Sequence, residues 1–478
     1  MYLDYNNKEK FKYIKNKRFI KEEIIKYDYL FSNINGYSLD KEQRVAIVTD
    51  EVNSLIIAGA GSGKSLTMIG KIRYLMEKGI KEDEILCITF TKEAAKSLEV
   101  KSGIKVYTFH SLAYSFLKSS YSVISDDYLE YIVDEYFNMI DNTIRVKRAL
   151  NKVDTPYKLI LKSKQYINLK NTIITFINLF KTNDYDISHF LNMKGNNDLI
   201  SIIIDIYFLY EEELRSTNSI DYNDMIKLAI NNIPDIKYKY IIVDEYQDTS
   251  YIRYKLLKGI IDRTGAKLIC VGDDYQSIYR FNGCDIDMFI NFKKYFGYTK
   301  ILRISNTYRN SNELITVAGS FIMKNKNQLY KKLRSSKHID KPITICYCDI
   351  YSLLDILVKK YTSVLVLGRN NSDFNELNIK YDNVRLMTIH SSKGLEDECV
   401  VILNVVDDIL GIPSKIENSS IINYVLKSSS YPYDEERRLF YVGLTRTKNE
   451  VYLMTKRSHE SLFIKELCKD YPYYIKYM

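Results

Sequence analysis

Tryptophan is absent from this 478-residue sequence, and six prolines and 18 glycines are too few to build a Pro- or Gly-rich linker. Neither an internal repeat nor a low-complexity stretch interrupts the chain. The seven cysteines are scattered, and the closest pair, Cys346 and Cys348, has the spacing of neither a disulfide framework nor a zinc ribbon. That pattern points to a reducing compartment. No run approaches the roughly 20 apolar residues that a membrane span needs. Met1 to Lys10 is charged and polar where a signal peptide has its apolar core. A cytoplasmic protein without membrane association is the expectation. The missing tryptophan, beside 43 tyrosines, reads as compositional drift and excludes no function.

What is present is ordinary globular composition, with 46% hydrophobic and 27% charged residues. The length leaves room for two to four domains of roughly 100–200 residues each. Lys and Arg exceed Asp and Glu by 69 to 60, a net charge of +9. The surplus agrees with a polyanionic partner but does not select one, because many solvated proteins carry as much.

Patterning divides the chain. Phe19, Ile20, Ile24 and Ile25 recur at helical spacing and predict a short helical extension over 1–36. An apolar strand at Leu55–Ala58, a Gly-rich turn, a helix from Lys64 to Glu77 and a strand at Ile85–Thr89 form a βαβ start, the mark of a parallel sheet. Helical patterns dominate 121–219, where Arg145, Lys147, Arg148, Lys152, Lys158, Lys162, Lys164 and Lys170 recur. These either contact a nucleic-acid backbone or form a solvated helical face. Strand-like runs resume at Tyr240–Val243 and Leu268–Val271, then at Ser363–Leu367, Val384–Thr388, Val400–Asn404 and Val451–Met454. The economical account is an α/β domain over 37–120 and 220–300, a helical insertion within it, and a second α/β domain over 301–478.

The turn Ala58-Gly59-Ala60-Gly61-Ser62-Gly63-Lys64-Ser65 carries the first chemistry. Small residues let backbone N–H groups approach phosphate oxygens, and the following helix N-terminus adds positive partial charge. Lys64 would reach the β- and γ-phosphates of ATP, and the Ser65 hydroxyl would ligate Mg²⁺. Ala58 stands where the strict P-loop pattern has Gly. An acidic pair follows an apolar run at Ile241-Ile242-Val243: Asp244 for Mg²⁺ and Glu245 to activate the attacking water.

Around these two elements, ordered motifs resemble the UvrD/Rep-type superfamily 1 DNA helicases, from about Tyr37 to Leu467. Leu39-Asp40-Lys41-Glu42-Gln43 is similar to the adenine-reading motif, which makes Gln43 the base-binding residue. Thr89-Phe90-Thr91-Lys92-Glu93 and Thr108-Phe109-His110-Ser111-Leu112 resemble strand-contacting motifs, implying DNA contacts by Thr91, Phe109 and His110. In Val271-Gly272-Asp273-Asp274-Tyr275-Gln276-Ser277-Ile278-Tyr279-Arg280-Phe281 the resemblance makes Gln276 a γ-phosphate sensor and Phe281 a base-stacking aromatic. Tyr308-Arg309 looks like the pair that stacks on adenine and touches the γ-phosphate. Met387-Thr388-Ile389-His390-Ser391-Ser392-Lys393-Gly394-Leu395-Glu396 is similar to the motif that holds DNA, here through Thr388 and His390, and the ribose through Glu396. The run from Glu436 to Arg446 looks like the last motif, with Arg446 a second arginine finger.

The resemblance implies tandem RecA-like domains closing on ATP and Mg²⁺, and 3′-to-5′ movement on single-stranded DNA or a single-strand/duplex junction in repair, recombination or defence. Only Asn371 to Asn383 lies where most of the family inserts a large accessory domain. A protein partner is one way to supply the missing function. Two rival readings stand beside the helicase: an ATPase that strips proteins from nucleic acid without processive unwinding, and a DNA-binding subunit of a larger complex such as a phage-defence assembly. No nuclease segment follows the last motif in this sequence, so a motor without a fused nuclease is expected.

Overall fold

The computed structural model describes residues 16–117, 121–125, 127–139, 143–151, 156–191, 193, 197–417, 419–427 and 431–478. The first sheet is built from β1 (Asn53–Ala58), β2 (Ile85–Thr89), β3 (Val106–Thr108), β6 (Tyr240–Val243), β7 (Lys267–Gly272) and β8 (Lys300–Ile304). A short pair between them, β4 (Ser122–Val123) and β5 (Ser219–Ile220), closes the base of the insertion. The second sheet holds β9 (Ile343–Cys346), β10 (Val364–Gly368), β11 (Val384–Thr388), β12 (Cys399–Ile402), β13 (Val451–Met454) and β14 (Ile475–Tyr477).

The orders are β3-β2-β6-β7-β1-β8 and β11-β10-β12-β13-β9-β14. Numbered within its own sheet, each therefore runs 3-2-4-5-1-6, and every neighbouring pair is parallel. One winding is used twice. β1, β2 and β6 are buried along their whole length, as parallel strands covered by helices on both faces must be. That is why they read as unbroken apolar runs.

Most expected strands are observed within a residue or two. Four main-sheet strands, β3, β8, β9 and β14, were not anticipated. β8 pairs with β1, so the first sheet extends to Ile304, past the expected boundary at 300. Its edge position leaves Ile301 and Arg303 exposed, which blunts the apolar signal. The insertion forms helices at Asp127–Asn138, Thr143–Ala149, Lys164–Thr182 and Asp198–Ser216. The N-terminal extension is helical over 16–26 and Asp28–Phe31. Its Glu23 accepts hydrogen bonds from Tyr74 and Lys78 at the end of the helix Lys64–Glu77. The connection 369–383 contains one short 3-10 turn, Asn371–Phe374, and holds no accessory domain.

Two packing facts join these parts. Ala60, Tyr275 and Ile278 of the first lobe belong to the same apolar core as Leu314, Phe321 and Phe440 of the second. The core of the helical insertion is completed from the second lobe by Ile421, Ile422, Val425 and Leu426. Asn183 donates to the Val425 carbonyl at 3.0 Å, and Lys427 pairs with Asp285 at 2.5 Å. Residues 419–427 thus strap the second lobe to an insertion that is covalently part of the first.

Among the insertion's basic residues, Arg145 pairs with Asp205, and Lys170 with Glu130 and Asp134. Lys147, Arg148, Lys158, Lys162 and Lys164 have no carboxylate partner among the described residues; Lys152 lies outside them. Removing apolar volume from the strap tests its role. Ile422→Ala should destabilise the protein by about 2–5 kcal/mol, the usual cost for a buried Ile. A denaturation midpoint equal to wild type would mean that the insertion core does not need the second lobe.

Candidate nucleotide cleft and nucleic-acid interface

Ala58 is the last residue of β1 and fully buried; the turn proper runs from Gly59 to Gly63. Gly61 and Gly63 adopt φ of 68° and 76°, a region glycine enters without penalty. At Gly61 there is a second demand. A Cβ there would lie 2.5 Å from the Arg309 Cβ and 2.7 Å from the Thr307 hydroxyl. The segment after β8 docks on this turn: Tyr308 N–H donates to the Gly61 carbonyl at 2.9 Å, and the Thr307 hydroxyl to the Ala60 carbonyl at 2.8 Å. Ser65 lies in the first helical turn with its side chain exposed.

Lys64 Nζ lies 2.8 and 3.0 Å from the two Glu245 carboxylate oxygens. Glu245 follows β6 in the left-handed region, φ 48°, a conformation that costs a non-glycine residue roughly 1–2 kcal/mol. Lys64 and Gln247 hold it there. From Glu245 a chain of hydrogen bonds crosses the cleft. Gln247 Nε2 donates to Glu245 at 2.5 Å, and the Asp273 N–H donates to Gln247 Oε1 at 3.0 Å. Gln276 Nε2 donates to Asp273 at 2.7 Å, and Arg446 Nη2 donates to Gln276 Oε1 at 2.9 Å.

The charges follow this geometry. Burial alone would lower the Lys64 pKa, but Glu245, Asp273 and Asp244 outweigh it and raise it. Burial opposes ionisation of Glu245, yet Lys64 and Lys393 hold its carboxyl down to about 2. Burial, then Glu245, pushes Asp244 up to about 7. Burial and the neighbouring Arg309 push Arg446 down to about 9, still a cation at neutral pH. Arg446 is buried and has no carboxylate partner among the described residues. Two guanidinium groups and an ammonium converging in a water-poor cleft fit a polyphosphate. One Asp244 oxygen accepts the Glu245 N–H at 2.9 Å; the other has no hydrogen-bond donor among the described residues. A desolvated carboxylate of that kind fits Mg²⁺.

The adenine-side residues are also brought together, although not all in the expected role. Gln43 is buried, and both ends of its amide are engaged: Nε2 donates to the Ser62 carbonyl at 3.1 Å and Oε1 accepts the Asp40 N–H at 2.9 Å. It braces the phosphate turn, and reading a base would require it to exchange a partner. Tyr308 is 61% exposed, with its hydroxyl on Asp40 at 2.7 Å. Arg309 Nε donates to Glu396 at 2.7 Å, so the ribose candidate currently restrains the finger.

On the expected DNA side, Phe281 is 49% exposed and meets His390 edge-on at 5.5 Å. Tyr279 lies 6.1 Å from Phe281 and stacks on Phe90 at 6.3 Å. An aromatic ladder therefore crosses the lobes. His110 packs edge-on against Tyr222 at 5.3 Å. Thr91 caps the helix Lys92–Ser102, and Thr388 shares a hydrogen bond with Ser391 at 2.9 Å. Phe109 is a correction: at 3% exposure it packs beneath the first sheet with Leu112 and Phe116 and offers no ring to a base. Burial lowers both His110 and His390 to about 4, helped by Arg253 and Lys92 at one and Arg369 and Lys393 at the other.

Phe90, Tyr279 and Lys393 lie inside the quoted motifs with no role of their own, and Gln247 lies just beyond the acidic pair. Lys393 Nζ donates to Asp248 and, at 2.6 Å, to the Gln276 carbonyl, and lies 5.0 Å from the Tyr279 ring centre. Lys331, buried between Asp273 and Asp274, had no sequence signal, because its partners are 57 and 58 residues away.

Two parallel sheets of one winding, sharing a cleft that holds a P-loop, an acidic pair and two arginines, define a P-loop NTPase with tandem RecA-like domains. The family model described as the UvrD/REP helicase N-terminal domain matches residues 39–297, and the UvrD-like helicase C-terminal domain matches 353–458. The chain belongs to the UvrD/REP helicase family, whose members are enzymes. It is 24% identical to DNA helicase IV of Escherichia coli K12 over a 502-residue alignment, covering 95% of this chain and 73% of the relative. It is 29% identical to the ATP-dependent DNA helicase PcrA of Bacillus subtilis 168 over 331 residues, covering 65% and 42%. To the ATP-dependent DNA helicase UvrD1 of Mycobacterium tuberculosis H37Rv it is 29% identical over 323 residues, covering 62% and 40%. The chain thus spans less than half the length of the latter two. Among the described residues no helix is long and apolar enough to cross a membrane.

Two outcomes are expected. Glu245→Gln should keep nucleotide binding and lose at least about 100-fold in turnover, as removal of a positioned base does; unchanged turnover would remove Glu245 from that role. The histidines, lowered from 6.5 to about 4, resist protonation in the folded state while the unfolded chain accepts protons. Stability should therefore fall as pH drops from about 6.5 towards 4, and His390→Gln should flatten that fall in a urea-denaturation series.

Proposed function

We propose that the chain hydrolyses ATP between its lobes and uses the cycle to move along single-stranded DNA. The supporting observation is that Lys393 and Gln276 tie the aromatic ladder to the hydrogen-bond chain of the nucleotide cleft. In this reading Lys64 leaves Glu245 for the β- and γ-phosphates, and the freed Glu245 orients and deprotonates the attacking water. Ser65 and Asp244 would hold Mg²⁺, which would supply charge neutralisation. Arg309 leaves Glu396 for the γ-phosphate, and Arg446 stabilises charge there through the same cleft. Arginines placed in this way contribute on the order of 10³–10⁵ in rate.

Loss of the γ-phosphate removes the anion that binds the cations of the two lobes together, and Gln276 relays the change to Lys393 and the rings. Phe281 and His390 then alternate their hold on successive bases. Stacking of this kind is worth about 1–3 kcal/mol per base and tolerates any sequence. The proposed substrate is a single strand or a single-strand/duplex junction, with 3′-to-5′ movement taken from the family resemblance and a cytoplasmic setting. The short connection 369–383 favours a second reading beside unwinding: displacement of bound proteins, with a partner supplying duplex engagement.

ATP hydrolysis with and without single-stranded DNA is the test. Stimulation by DNA that disappears in Lys64→Ala is expected. Phe281→Ala should weaken DNA affinity by about fivefold or more while leaving DNA-free hydrolysis near wild type. Hydrolysis indifferent to DNA would sink the motor reading.

A further inference from the structure

Outside the cleft and the aromatic ladder, a groove of about 600 Å³ opens on the second lobe between the helix Asn312–Ile322 and the extended segment 330–335. Its lining contains no Asp or Glu and carries Lys331, Lys332 and Arg334. The segment alternates. Lys331 points inward to Asp273 and Asp274, and Leu333 lies against Gly59 of the phosphate turn. Tyr330, Lys332 and Arg334 face outward, about 6.6 Å apart along an extended chain. Tyr330 is 67% exposed, and Lys332 and Arg334 have no carboxylate partner among the described residues. Tyr275 also lines the groove, with the Lys331 ammonium 3.6 Å from its ring centre.

We propose that this groove is a second nucleic-acid contact, separate from Phe281 and His390, that takes a strand by stacking a base on Tyr330 and pairing phosphates with Lys332 and Arg334. An aromatic interleaved with cations on an extended segment suits a single strand, because every base offers a ring face and every nucleotide a phosphate. The inward residues give the contact a consequence. A strand drawn onto 330–334 bears on the same short segment that braces Gly59 through Leu333 and the Asp273–Asp274 pair through Lys331. This inference rests on the reading of the chain as a DNA motor and deepens it by adding a place where DNA reports directly to the nucleotide site.

The test uses the full chain, its Lys332→Gln/Arg334→Gln double variant and Tyr330→Ala. Anisotropy of a long fluorescein-labelled oligothymidylate is followed across a salt series, beside binding of a fluorescent ADP analogue. The double variant should bind the strand about tenfold or more weakly, with the slope of log K against log salt shallower by about 1.4 for two lost phosphate contacts. Tyr330→Ala should weaken strand binding without changing the slope. Binding of the ADP analogue and DNA-free hydrolysis should stay at wild-type levels in both. Strand affinity and slope equal to wild type would overturn the groove and leave the motor reading standing. Weaker binding of the ADP analogue with unchanged strand binding would assign the groove to free nucleotide and overturn it too. Equal loss of both ligands would show a structural support of the phosphate turn, again against the proposal. A wild-type chain that binds no strand would end both readings.

Discussion

Three cations, Lys64, Arg309 and Arg446, converge on one poorly hydrated space, and much of the architecture manages that convergence. A buried charge without a partner is among the most costly features a fold can hold. Glu245 restrains Lys64 and Glu396 restrains Arg309, whereas Arg446 has only carbonyl, hydroxyl and amide oxygens. A polyphosphate between the lobes would supply the direct anionic partner that Arg446 lacks among the described residues.

Closing such a cleft requires surfaces that approach to backbone distance. Gly61 permits this by having no side chain where Thr307 and Arg309 descend, and Ala60 passes into the core of the opposite lobe. The strap 419–427 extends the same logic outward. The insertion belongs to the first lobe by sequence but packs around second-lobe residues, so the two lobes share one apolar core there. The connection 369–383 contains only the short turn Asn371–Phe374, and the lobes are joined by direct packing at the strap.

Legibility in the sequence varied with the range of the interaction. The phosphate turn, the acidic pair and the fully buried strands were readable because each is set by neighbours a few residues away: backbone N–H spacing, a helix N-terminus, an apolar run. Lys331 was not readable, since a lysine in the run Tyr330-Lys331-Lys332-Leu333 looks like any solvated lysine until the fold sets it between Asp273 and Asp274. Phe109 was misread in the opposite direction. Its motif placed it beside His110, but the helix Phe109–Phe116 turns adjacent side chains to different sides, and only His110 remains partly open. Gln43, expected to bind the base, has its amide occupied by Ser62 and Asp40.

The sequence by itself determined the chemistry of the cleft and the fold class, because phosphate binding and parallel-sheet burial each restrict residue types over short stretches. The tertiary structure alone decided how those pieces are coupled. The hydrogen-bond chain from Lys64 to Arg446, the ladder from Phe90 to His390 and the strap beneath the insertion all join residues more than 100 positions apart. Such partners are chosen by shape, burial and charge balance across the assembled lobes, and no local pattern encodes them.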